Sequence, residues 1–124
     1  MFEPYSIAIL VNFKEKNISE RINIQSFDPS PLNILKKKYP SIKTAFLTNK
    51  PGIKKNLNHL DFTPDIYSPY YKLVNADFCD SLKQLKIKII PWTVNEESDI
   101  ISSLNYDIDG IISDYPERII NKTR

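Results

Sequence analysis

The stretch from Ile87 to Pro116 constrains the chain most. It reads Ile-Lys-Ile-Ile-Pro-Trp-Thr-Val-Asn, then a polar-to-amphipathic segment, then Asp-Ile-Asp-Gly-Ile-Ile-Ser-Asp-Tyr-Pro. Each half is a short β-branched run that stops abruptly at a polar or aromatic residue, the pattern of a buried parallel strand where it meets its functional loop. Glu96 to Asn105 has the length and the acidic first turn of a crossover helix, so the unit predicts strand, helix, strand with a right-handed connection.

Reading outward, the alternation continues. Pro4 to Lys16 predicts a helix with Ile7, Ala8, Leu10 and Val11 as its apolar stripe. Ile22 to Phe27 predicts a strand, and Ser30 a cap for a helix opening at Pro31, whose last turn carries Lys36, Lys37 and Lys38 where cations suit the dipole. Lys43 to Leu47 is the next strand. Asn49, Pro51 and Gly52 break the chain, Ile53 to Leu60 predicts a weak helix, and Asp65 to Tyr67 an extended piece that Pro69 ends. Ala76 to Lys86 predicts a firmer helix with Phe78, Cys79, Leu82 and Leu85 on one side. With Ile87 to Trp92 and Gly110 to Ser113, the count is five strands with a helix in most gaps: an α/β chain with a parallel sheet. Lys86 and Asp107 stand where such units turn on glycine, and a side chain forced toward left-handed backbone costs about 1 kcal/mol, so both are predicted soft spots. Asp114 and Glu117 fit a capping box for a short final helix.

The motifs in this order carry a family resemblance. Trp92-Thr93-Val94-Asn95 followed by Asp109-Gly110-Ile111-Ile112-Ser113-Asp114-Tyr115-Pro116, with Ile24-Gln25-Ser26-Phe27-Asp28 upstream, resembles the glycerophosphodiester phosphodiesterase family. The resemblance covers essentially the whole chain and part of the family's domain. It implies that residues 1–124 are the C-terminal part of that domain: an incomplete TIM-type (β/α) barrel, matching about strands four to eight, with its site at the strand C-termini. The family's chemistry depends on a His-Arg-Gly, a Glu-x-Asp pair, a histidine soon after and a Glu-x-Lys on the first three strands. None of those strand segments is found here. The divalent cation that the resemblance implies, calcium or magnesium, needs such oxygen ligands, and the hydrolysis needs an acid and a base within reach. No catalytic residue and no metal ligand is therefore assigned to this chain, and alone it is expected to be inactive.

Two residues are assigned to substrate binding through the resemblance, Phe27 and Trp92, which match aromatics lining the family's substrate cleft. Such rings pack on an alcohol moiety while other groups hold the phosphate. Read without the resemblance, both are equally core residues at the top of a barrel. Ser26 and Asn95 stand at strand ends, where they donate to a ligand or satisfy local backbone, and Asn95 is placed to cap the following helix. Asp107, Asp109 and Asp114 are close in sequence, but helix capping explains Asp114 without a metal. His59 reads as a lone surface histidine, Cys79 as a small core residue, and the two Asn-x-Ser/Thr matches as chance.

The remaining signals bound the partners. A net charge of +2 with acids and bases interspersed gives no nucleic-acid footprint. No segment offers the roughly 20 apolar residues of a membrane span. A partial barrel leaves two open edges and an uncovered apolar layer. The expected partners are accordingly an N-terminal barrel half, a second copy of the chain, or a glycerophosphodiester substrate once the barrel is complete. A small open α/β sheet binding phosphate at a helix N-terminus is a weaker third reading, since no glycine-rich phosphate loop is present.

Overall fold

The computed structural model describes residues 8–11 and 22–123. Its elements in order are β1 (Ala8–Val11), β2 (Ile22–Ser26), α1 (Pro29–Lys38), β3 (Lys43–Thr48), α2 (Ile53–Leu57), β4 (Ile66–Pro69), a 3-10 turn (Tyr71–Leu73), α3 (Ala76–Gln84), β5 (Lys88–Ile89), α4 (Glu97–Leu104) and α5 (Pro116–Thr123). They form one five-stranded sheet in the order β1-β2-β3-β4-β5. The β2–β3, β3–β4 and β4–β5 pairs are parallel, each joined through a helix. The alternation of strand and helix is thus as the sequence predicts.

The sheet's composition differs at both edges. Pro4 to Lys16 reads as a helix, but Ala8–Val11 is a strand, antiparallel to β2 with Ala8 opposite Gln25 and Val11 opposite Ile22; the rest of that range lies outside the described residues. Four consecutive apolar residues fit either period, and the free N–H and C=O groups along β2 favour pairing. The edge of β2 is therefore paired, and among the described residues the sheet ends at β1 instead. At the other edge, Gly110 to Ser113 forms no regular strand. It lies along β5 through Asp109 N–H to Ile89 O (2.8 Å), Ile112 N–H to Pro91 O (2.9 Å) and Val94 N–H to Ile112 O (2.9 Å). Pro91 has no N–H, so the ladder there cannot be continuous. On the β4 side Pro69 has no N–H to offer Ile90 O, and β5 is limited to Lys88–Ile89, with Trp92 rejoining the sheet as an isolated parallel bridge to Tyr70.

Strand periodicity divides the sheet into two faces. Ile24, Phe46, Tyr67 and Ile89 share one, packed against Leu32 of α1 and Cys79 and Leu82 of α3 in a single buried cluster. Leu32, Leu82 and Ile89 are fully excluded from solvent, a burial worth about 1.5–3 kcal/mol for each such side chain. The opposite face carries Asn23, Gln25, Ala45, Leu47, Ile66, Ser68 and Ile90 in the registers Gln25–Ala45–Ile66 and Leu47–Ser68. Cys79 is a core residue, and burial pushes its thiol pKa up.

Local signals resolve several ends. Asp28 rather than Ser30 caps α1, its carboxylate accepting from Ser30 N–H at 3.0 Å, with Pro29 in the first turn. α2 ends at Leu57, although Leu60 still turns inward. Lys86 adopts φ +60°, the one non-glycine at positive φ among the described residues. Ile87 N–H reaches Leu82 O at 3.1 Å and Lys86 N–H reaches Lys83 O at 2.9 Å, which closes α3 with a Schellman motif. The expectation for Asp107 fails: it keeps negative φ, and its carboxylate pairs with Lys83 at 2.8 Å.

Candidate functional site

The strands running in parallel bring their C-terminal residues to one rim. Continuing the alternation past β2, β4 and β5 puts Phe27, Tyr70 and Trp92 on the face opposite the helices. Adjacent strands lie about 4.8 Å apart, so β2 and β5 would be separated by about 14 Å in a flat sheet. Yet the Phe27 and Trp92 rings meet edge to face at a centroid distance of 5.3 Å. They touch because this face is the concave side of a curled sheet. Tyr70 packs on Trp92 at 5.5 Å and Tyr71 on Tyr70 at 5.0 Å, extending the contact into a continuous aromatic wall.

Hydrogen bonds fix the wall. Trp92 Nε1–H donates to Ser68 O at 2.9 Å, satisfying the polar end of a half-buried indole from the neighbouring strand. Trp92 N–H donates to Pro69 O and Tyr71 N–H to Trp92 O. The Tyr71 hydroxyl donates to Asp99 Oδ2 at 3.3 Å, and its pKa is raised, first by desolvation and then by the Asp99 charge. Beside Phe27, a cavity of about 380 Å³ is lined by Thr48, Asn49, Lys50, Asn56 and His59 among others. Asn56 Nδ2 anchors its floor, donating to Lys50 O (2.8 Å) and to the Tyr67 hydroxyl (2.9 Å).

Phe27 and Trp92 are thus in one contact. Tyr70 and Tyr71 escaped sequence reasoning because Pro69 reads as a strand terminator. Its missing N–H leaves a gap in the β4–β5 ladder opposite Ile90 O, but Pro69 O still accepts from Trp92 N–H and Tyr70 N–H donates to Thr48 O, so the chain stays in the sheet past the proline. The period-2 step from Ser68 to Tyr70 was the available signal.

The other strand-end residues serve the backbone. Ser26 Oγ accepts from Asp28 N–H and donates to Asp28 O. Asn95 does not cap α4, whose N-cap is Glu96. Its side chain instead spans to the last loop: Nδ2–H donates to Asp114 Oδ2 (2.9 Å), and Oδ1 accepts from Asp114 N–H (2.9 Å) and Ser113 Oγ–H (3.2 Å). Arg118 completes the clasp by donating to Asn95 O at 2.7 Å while its guanidinium lies over the Tyr115 ring. The capping box expected for Asp114 and Glu117 gives way to this arrangement, with α5 opening at Pro116.

The described residues do not fit a hard divalent cation. No group of three or more His, Cys, Asp or Glu that could hold a metal is present among them. Asp65 accepts from Thr44 N–H, Asp109 from Ile89 N–H, Asp114 from Asn95, and Asp107 and Glu97 pair with Lys83 and Lys122. His59 is exposed, at the margin of the cavity.

Comparison with known proteins identifies the family and the fold. The model of the glycerophosphoryl diester phosphodiesterase family matches residues 5–118. A glycerophosphodiester phosphodiesterase of Caldanaerobacter subterraneus is 33% identical over 113 residues, 90% of this chain and 46% of that protein. The chain spans about half the length of the curated relatives it matches. Among solved structures, an Oleispira antarctica phosphodiesterase in complex with its product sn-glycerol 3-phosphate superposes with a TM-score of 0.68 at 24% identity, covering 80% of this chain and 40% of that one. A glycerophosphodiester phosphodiesterase of Parabacteroides distasonis gives 0.71 at 20% identity, covering 85% and 44%. The curled parallel sheet is an incomplete (β/α) barrel, and the chain belongs to the glycerophosphoryl diester phosphodiesterase family.

Proposed function

We propose that residues 1–124 form the C-terminal part of a glycerophosphodiester phosphodiesterase domain and supply one wall of its substrate cleft. The complete domain hydrolyses a glycerophosphodiester to glycerol 3-phosphate and an alcohol with a divalent cation, calcium or magnesium. Phe27 and Trp92 are its substrate-binding residues in this chain, with Tyr70 extending their surface. The observation that carries the reading is the Phe27–Trp92 contact on the concave side of the strand ends, with the Trp92 indole already anchored to Ser68.

The wall binds and orients. Its rings cover the carbon skeleton of the substrate, exclude water from that side and limit the directions in which the phosphoryl group can point. The cation supplies charge neutralisation and polarisation of the phosphodiester when bound. No cluster of three or more carboxylates, histidines or cysteines occurs among the described residues, and this reading places the cation's ligands in an N-terminal barrel half. That half is the partner the reading requires. A second reading, a non-catalytic chain that self-associates and keeps only the wall, is favoured by the same lack of a ligand cluster among the described residues.

The test is divalent-metal-dependent hydrolysis of glycerophosphocholine and of bis(p-nitrophenyl) phosphate by the purified chain, beside its Trp92→Ala variant. No turnover is expected from either. Metal-dependent turnover that falls in the variant would show that the chain holds its own catalytic centre and overturn the assignment of a wall alone.

A further inference from the structure

The concave face holds two polar side chains on β2 that the wall does not explain, Gln25 and Asn23. On β2, Asn23, Gln25 and Phe27 alternate onto this face, and Gln25 lies in register with Ala45, a methyl side chain that leaves room beside it. The carboxamides of Asn33, Asn56, Asn75 and Asn95 are each held by a backbone or side-chain partner. Gln25, half-buried, makes no side-chain hydrogen bond among the described residues. Asn23, one step further from the rim, leaves its sheltered Oδ1 without a partner on the same face. The penalty of an unmade buried hydrogen bond falls on Asn23 Oδ1, while the half-buried Gln25 carboxamide is uncommitted and open to a ligand. Gln25 stands two residues, about 7 Å, below Phe27 along the strand, within a side chain's reach of whatever rests against the aromatic wall.

From this geometry we infer that Gln25 is a specificity-determining residue that hydrogen-bonds the glycerol hydroxyls of the ligand covered by Phe27 and Trp92. The inference rests on the cleft-wall reading above and deepens it. A carboxamide both donates and accepts, which matches a hydroxyl. A phosphate oxygen can only accept and would use half of it. Gln25 touches no reacting atom in this arrangement. It selects for the polyol and fixes how deep the glycerol sits beneath the rings.

The experiment titrates the ¹⁵N-labelled full chain with sn-glycerol 3-phosphate and, separately, with propyl phosphate, which has the same charge and carbon count without the hydroxyls. The readouts are the Trp92 indole N–H and the Gln25 side-chain NH₂ signals, for the wild type and for Gln25→Leu and the near-isosteric Gln25→Glu. The expected result is that both signals move with glycerol 3-phosphate and that it binds about five- to tenfold more tightly than propyl phosphate, the worth of one or two neutral hydrogen bonds. Gln25→Leu should remove that preference while leaving propyl phosphate affinity unchanged. If the indole moves with both ligands but the Gln25 amide does not, or the preference survives in a folded Gln25 variant, the inference fails and the wall stands. If neither ligand moves the indole, the wall reading fails and takes the inference with it. Should Gln25→Leu not fold, the wild-type amide shift and Gln25→Glu still decide the matter.

Discussion

Replacing Lys86 by glycine should stabilise this chain. Lys86 is the C′ residue of α3, held at φ +60° by the Schellman bonds from Ile87 and from its own N–H. Its side chain is exposed, so its removal costs little packing. A non-glycine residue in left-handed backbone costs about 1–2 kcal/mol. Glycine removes that strain but gives back about 0.5–1 kcal/mol through the freedom it adds to the unfolded chain. The net gain is about 0.5–1 kcal/mol. For a chain of this size it should raise the urea midpoint by about 0.5 M and the melting temperature by about 2–4 °C. Lys86→Ala, which keeps the Cβ, should stay within about 0.3 kcal/mol of the wild type, and Lys86→Asn should fall between. Urea unfolding followed by Trp92 fluorescence and far-UV circular dichroism reads all three. A midpoint for Lys86→Gly at or below that of Lys86→Ala would refute the reasoning, because the Cβ would then cost nothing in this turn. Asp107→Gly is the internal contrast, with no positive φ to relieve and a Lys83 ion pair to lose.

Two further outcomes follow from groups already described. Burial raises the Tyr67 hydroxyl pKa above its ordinary 10.0, with the Asn56 bond opposing it. The folded state therefore holds that proton more tightly than the unfolded one. Stability is complete below pH 10 and is lost as pH rises toward the folded pKa. Tyr67→Phe should flatten this alkaline limb while costing about 1 kcal/mol at pH 7, which thermal melts from pH 7 to 11 will read. Asn95→Ala should cost about 2 kcal/mol by breaking the clasp to Asp114 and Ser113, and Asn95→Asp at least as much, since it sets a second carboxylate against Asp114. Equal melting temperatures for Asn95→Ala and the wild type would mean that the clasp carries no net stability.

Much of this fold was legible because strand and helix periods rarely conflict in the chain. The segments around Ile24, Phe46, Leu82 and Ile89 each had one sensible period, and each became an element in the expected order. Failures fell where a local signal had two uses. The run Ala8 to Val11 suited a helix face or a strand, and the decision lay with the edge of β2, which no window around residue 8 reveals. Pro69 reads as a stop and does end β4, yet the chain stays paired one residue beyond it, where Tyr70 bridges Trp92. Asn95 had the residue type and position of a cap, yet its partner Asp114 is 19 residues away. The positions of Phe27 and Trp92 at strand ends were visible in the sequence. Their contact was not, because it depends on the curl of a sheet that separates them by two intervening strands.

The antiparallel pairing of β1 carries a kinetic consequence. A (β/α) barrel is parallel throughout, so a strand that extends the barrel beyond β2 must run opposite to Ala8–Val11 and compete for the same row of N–H and C=O groups. The two ladders cannot coexist on one edge. For the N-terminal barrel half proposed above, docking beside β2 would therefore be an exchange rather than an addition, its pace at high concentration set by how often a four-residue ladder lets go and not by how often the two pieces collide.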